Sequence, residues 1–189
     1  RDIRASERRF YQKITDLYAT SIDYDSHAPL TQEFYATVQN KLHWAITGHT
    51  AAETVVSRAD ADKPNMGLTT WKNAPKGPIR KADVGVGKNY LGEKEIAALN
   101  RIVTMYLDYA EDQAERGIPV TMHDWATKLN AFLQFNEREL LDHPGKVSAE
   151  VAKAFAESEF EKYRIVQDRL FESDFDRAIK QLPPKGGNP

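Results

Sequence analysis

Imidazole is the side chain best suited to moving protons near neutral pH, and His43 and His49 bracket a glycine at position 48. Gln39 lies four residues before His43, the interval that puts two side chains on one helix flank, and Glu53 follows close behind His49 in sequence. Downstream, residues 58–90 carry seven basic side chains, including Arg58, Lys63, Lys72 and Lys88, against three acidic ones. Phosphoryl or nucleotidyl chemistry requires that combination, with groups that move protons and fixed positive charge facing the developing anion. In this reading His43 carries a proton, with His49 or Glu53 as its partner. Arg58, Lys63, Lys72 and Lys88 hold phosphate, while Gln39, Asn65 and Asn89 contact and orient the ligand. Each residue also has an ordinary explanation. His43 sits beside Trp44 at a helix boundary, Glu53 completes a Thr50–Glu53 capping box, and lysines decorate most solvated loops.

Other patterns are weaker. Asp23, Asp25 and His27 alternate, so an extended backbone would point all three one way. Oxygen and imidazole ligands of that kind suit a divalent metal such as magnesium, manganese or zinc. Arg138 and His143 form an R-x4-H spacing of the kind some helical ribonucleases use, although His143 precedes Pro144-Gly145 and reads as a helix terminus. Gly85-Val86-Gly87-Lys88 fails the Walker A pattern, because position 82 is alanine and position 89 asparagine. Trp71 among lysines is either a stacking platform for single-stranded nucleic acid or a pin for its own loop.

The elements that must hold these groups read as helices. At 189 residues the chain needs neither metal nor disulfide to fold. The absence of cysteine excludes thiolate chemistry and fits a reducing cytosol. No apolar run is long enough to span a membrane. Helical periodicity covers 2–20, with Ile3, Phe10, Ile14, Leu17 and Tyr18 on one side, and a second helix starts at Thr31 with Phe34, Val38, Leu42, Ala45 and Ile46 inward. A short helix follows Thr50. The clearest helix runs from Gly92 to Arg116, and another from Thr121 through Leu140 to a stop at His143. Ser148 caps a helix to about Phe171 with Val151, Phe155, Tyr163, Val166 and Leu170 inward, and a last short helix covers 174–182. The expected fold is all-α: a compact bundle of five to seven helices with one long irregular basic loop, about 60–92. It forms a single helical domain over 1–182 with a flexible tail at 183–189. Met66, Leu68, Trp71, Ile79, Val84 and Val86 should anchor the loop, because a segment that long in a compact domain is usually functional or disordered.

Several runs together resemble the C-terminal region of the RhuM family of bacterial virulence and mobile-element proteins. They are FYQKITDLYATSIDYD (10–25), FYATVQNKLHWAITGHTAAE (34–53), RADADKPNMGLTTWKNAPKG (58–77), NRIVTMYLDYAEDQA (100–114) and GKVSAEVAKAFAESEFEKYR (145–164). The resemblance implies a DNA-associated protein with an upstream helix-turn-helix-like domain, for which residues 1–20 would continue a longer helix. It brings no catalytic residues with it. The HPFxxGNxR motif of Fic-type domains, found beside a related upstream module, is absent.

Two functions are open at this point. One is an effector domain that binds or acts on nucleic acid or a nucleotide. The other is a non-catalytic oligomerisation or ligand-sensing module of a DNA-binding regulator, self-associating through the N-terminal helix.

Overall fold

The computed structural model describes residues 12–181 with the exception of 14 and 26. Ile3, Phe10, Ile14, the expected self-association of the N-terminal helix and the 183–189 tail lie outside those residues. The described residues form helices and turns, with no strand among them. In chain order the helices are α1 (15–19), α2 (Pro29–Thr47), α3 (Ala51–Arg58), α4 (Lys81–Val84), α5 (Glu93–Glu115), α6 (Met122–Phe135) and α7 (Ala149–Lys180). Single 3-10 turns cover Pro64–Gly67 and Gly87–Tyr90. The all-α expectation holds.

Two compact units result, and α3 passes from one to the other. The first comprises Arg1–Glu53 and Leu91–Lys146, the second Thr54–Tyr90 and Val147–Pro189. The first carries 12 basic and 17 acidic residues (net −5), the second 14 and 11 (net +3), so charge segregates with the fold.

The first unit buries a helical core of Leu17, Tyr18, Val38, Leu42, Leu99, Ile102, Tyr106, Leu107, Trp125, Leu129 and Leu133. Tyr18 is its hub, packed against Phe34, Tyr35 and Trp125 with ring centroids 5.0–5.8 Å apart. Its hydroxyl meets that of Tyr106 at 3.1 Å. Burial raises both phenols, that of Tyr106 to about 12.

The helix boundaries show which local signals prevailed. Gly48 ends α2 in the left-handed region (φ 71°), and its N–H donates to the Trp44 carbonyl. Thr31 does not cap α2. Pro29 occupies the first turn, where its missing N–H costs nothing, and the Thr31 hydroxyl donates to the Asp25 carbonyl at 2.7 Å. Thr121 starts α6 as expected and forms a capping box with Asp124. That helix ends at Phe135 rather than running on through Leu140. Glu137 is left-handed (φ 57°), and the Arg138 N–H returns to the Leu133 carbonyl, a Schellman closure made without glycine.

In the second unit α7 is continuous to Lys180, with no break before residue 174 because 171–174 contain neither glycine nor proline. Its buried face is Ala152, Ala156, Phe160, Tyr163 and Gln167. Val151, Phe155, Val166 and Leu170, expected inward, are exposed. The two alanines present a nearly bare helix surface, and the folded basic loop packs there.

Candidate functional site

The residues singled out by sequence divide between the two units. Gln39, His43, His49 and Glu53 belong to the first; Arg58, Lys63, Asn65, Lys72, Lys88 and Asn89 belong to the second.

In the first unit, Gln39 is exposed on α2, whereas His43 one turn later is only 3 % exposed. His49, beyond the helix break, is half exposed, and its Nδ1 lies 3.8 Å from Glu53 Oε2. Glu53 is the centre of a small corner. Its Oε2 accepts from the Thr50 N–H (3.3 Å) and its Oε1 from the Lys146 N–H (2.9 Å). Its own N–H donates to Thr50 Oγ1 (3.2 Å), completing the capping box. Burial works against the charge on this carboxylate. The Lys146 and Thr50 amides and the imidazoles of His49 and His143 outweigh it and hold the carboxyl below its usual range. Sequence reasoning missed His143 as a member of this corner, because 90 residues separate it from Glu53. Its ring stands edge-on to Trp44 (5.1 Å) and its Nδ1 accepts from the Gly145 N–H. Gly145 is left-handed (φ 88°), and a Cβ there would press on Thr50 Cγ2 at 2.8 Å and Glu53 Oε1 at 3.2 Å. The R-x4-H pattern therefore marks no helix end, since α6 has already stopped.

The second unit folds the irregular basic segment into a fixed shape. Met66, Leu68, Trp71, Ile79 and Val84 are buried as anchors; Val86 is exposed. Polar side chains replace a helical ladder. Asp83, itself buried, accepts from the N–H groups of Lys72 (3.0 Å) and Arg80 (2.9 Å). Asn89 donates its amide to the Asp83 carbonyl (2.9 Å), and its own carbonyl accepts from the Thr69 N–H (2.7 Å). Gln167 of α7 takes both backbone groups of Ile79, at 2.8 and 3.0 Å. Arg58 Nη1 donates to the Tyr90 carbonyl (2.9 Å). Trp71 Nε1 donates to the Gly77 carbonyl, so this indole pins its loop. Glu159 accepts from the Ala61 N–H at 2.8 Å, and that bond, with Lys162 beside it, keeps its carboxyl below the usual range.

Of the expected ligand contacts, Arg58 and Asn89 thus spend donors on the loop's own backbone. Asn65 and Met66 form a left-handed turn (φ 54° and 46°) that buries Met66 completely and leaves Asn65 exposed. Lys63 and Lys72 are exposed and Lys88 is half-buried. Two lysines not singled out before join them: Lys81 and Lys153 line an open cleft of about 470 Å³ with Ala82, Gly85 and Glu157. Lys81 Nζ lies 3.8 Å from Glu157. Lys81 was visible as one more charge in a basic run, but Lys153 arrives from α7 and carries no sequence signal.

Asp23 and Asp25 do not converge with His27 as an alternating ligand set. Asp23 accepts from the Met122 N–H and Asp25 from the His27 N–H, each at 2.9 Å. Among the described residues no three His, Asp or Glu side chains are placed to share a metal ion, and no helix is long and apolar enough to cross a membrane.

The model of the virulence protein RhuM family matches residues 1–172. The chain belongs to the RhuM family. Neither a curated protein nor a solved structure matches it. Within this RhuM-family chain, the irregular stretch is held in one shape by buried apolar anchors and side-chain hydrogen bonds.

Proposed function

We propose that this RhuM-family chain is an effector part that binds a phosphate-bearing ligand, nucleic acid or a nucleotide, on the cationic surface of its second unit. The observation that supports the reading is the immobilisation of the basic segment. Five apolar anchors and the Asp83, Asn89 and Gln167 hydrogen bonds fix the backbone from which Lys63, Lys72, Lys81 and Lys88 project. A held array of cations loses little entropy on meeting a polyanion, and the unit's net +3 favours the encounter. Lys153, at the cleft with Lys81, extends the array. Of the imidazoles considered as proton carriers, His43 at 3 % exposure lacks the access that role needs.

Fluorescence anisotropy of a labelled single-stranded oligonucleotide, and of a labelled nucleoside triphosphate, tests the reading. Reversing Lys63, Lys72 and Lys81 to glutamate should weaken binding by about tenfold or more, in a salt-dependent way. The control Lys128→Glu in the first unit should not. Absence of binding by the unaltered chain, or equal binding by the triple variant, would contradict the reading.

A further inference from the structure

One buried carboxylate gathers cations of the second unit. Asp83 Oδ1 accepts from the Lys72 N–H at 3.0 Å and Oδ2 from the Arg80 N–H at 2.9 Å, which sets two stretches side by side with both cationic side chains exposed. Lys81, the next residue, opens α4 and shares a cleft with Lys153 of α7. The Lys153 stem lies by Gly85, where an added Cβ would sit 3.6 Å from its Cγ. Four exposed cations from three stretches are thus set around Asp83 and the cleft beside it. We infer that this cluster holds a nucleic-acid duplex by its phosphate backbone, an assignment that rests on the binding proposed above and names its ligand.

The surroundings of the cluster separate a duplex from the other phosphate-bearing ligands. A single strand offers unpaired bases, which proteins take by stacking them on aromatic rings. Residues 58–90 contain two rings, Trp71 and Tyr90, and both are buried. Their donors are spent within the segment, Trp71 Nε1 on the Gly77 carbonyl at 2.8 Å and the Tyr90 hydroxyl on the Val84 carbonyl at 2.6 Å. On α7 the exposed Phe155 follows Lys153 by two residues, which turns it to the far side of the helix. Phe171, also exposed, stands about 27 Å further along the axis. A nucleotide needs an enclosed, apolar place for its base. The open cleft offers only Ala82 and Gly85 between its charged walls. Glu157, 3.8 Å from Lys81, opposes the concentrated charge of a triphosphate more strongly than that of a single phosphodiester. A duplex keeps its bases inside and presents one charge per roughly 1.7 Å of axis, the denser target for a dispersed set of cations.

Fluorescence anisotropy with the full chain tests this on a labelled DNA duplex, the single strand of the same length and a nucleoside triphosphate, at one salt concentration. The duplex should bind tightest, by about fivefold over the single strand, as its charge density dictates. An RNA duplex run alongside tells which kind of duplex supplies the phosphates. Arg80→Gln, which leaves the Arg80 N–H on Asp83, and Lys153→Gln should each weaken duplex binding about threefold to tenfold and lower its salt slope by about one. Both side chains are exposed, so these variants should keep the parent's melting temperature. A single strand or a triphosphate that binds as tightly as the duplex would overturn the duplex assignment and leave the proposed function standing. Absence of binding by every probe would overturn both. Duplex binding unchanged in the Arg80→Gln, Lys153→Gln double variant would overturn the assignment to this cluster.

Discussion

The two units solve the same folding problem by opposite means. In the first, helices bury one another's apolar faces, and Tyr18, Trp125 and Tyr106 supply bulk at the centre. In the second, a single long helix provides a shallow face of two alanines, and an irregular segment is fastened to it by side chains that replace missing backbone partners. Buried backbone polar groups must be paired somewhere. Helices pair them internally, whereas the basic segment needs Asp83, Asn89, Gln167, Glu159 and Arg58 to do so. The difference teaches that a loop can be as fixed as a bundle when enough carboxylates and amides point inward, and fixed loops are suited to presenting charge.

The contrast predicts where each unit breaks. Trp125→Ala should have the largest effect, about 4 kcal/mol in urea unfolding, because a fully buried indole leaves a cavity that helices cannot close. Asp83→Ala should cost nearly as much, about 3 kcal/mol, by orphaning the Lys72 and Arg80 amides at once. Asp83→Asn, which keeps one acceptor oxygen, should recover part of that. A loss under about 0.5 kcal/mol in Asp83→Ala, the range of ordinary surface changes, would mean the hub is ornamental.

Two glycines sharpen the comparison. Gly67 (φ 89°) and Gly117 (φ 66°) are both left-handed, but an added Cβ at Gly67 collides with the Arg58 carbonyl, whereas at Gly117 it meets open space. Gly67→Ala should therefore destabilise by about 2–3 kcal/mol through strain and overlap, and Gly117→Ala by about 1 kcal/mol through backbone strain alone. Equal losses would argue against tight packing of the segment at Arg58.

The smallest effect is expected at Glu53. Its carboxyl is held below the usual value of 4.5 in the folded chain, so its contribution is present above that value and fades as pH falls through the folded one. Glu53→Gln should cost about 1 kcal/mol at neutral pH, the scale of a lost helix cap. Melting temperatures of parent and variant should converge as pH is lowered from 7 toward 3. A gap that stays constant over that range would remove the charged cap from the account.

Much of the first unit was legible because helical signals are local. Gly48, the Thr50–Glu53 box and the Thr121–Asp124 box each announce themselves within four residues. The Phe135 terminus was hidden because Glu137 adopts a conformation that sequence rules reserve for glycine and asparagine. The face of α7 was misread for another reason. Val151, Phe155, Val166 and Leu170 have helical spacing and greater hydrophobicity, yet small size at Ala152 and Ala156 decided which side the loop could approach. At the candidate site, His49 with Glu53 could be found from nearness in sequence across the Thr50 cap. His143, Lys153 and Gln167 could not, since each meets its partners only after residues about 70–90 apart in sequence come together. Asn89 and Arg58 illustrate the converse, because side chains rich in donors attract a ligand-binding reading even where the backbone is their partner.

The claim on which the rest depends is that the cationic segment is held in one shape. Residue-resolved hydrogen exchange measures this directly, at the amides of Thr69, Lys72, Ile79 and Arg80, which donate to Asn89, Asp83, Gln167 and Asp83. Protection comparable to that of central α5 amides is the result expected. Exchange of all four as fast as in an unstructured peptide would show the lysines on a mobile tether and remove the physical basis for the binding proposal.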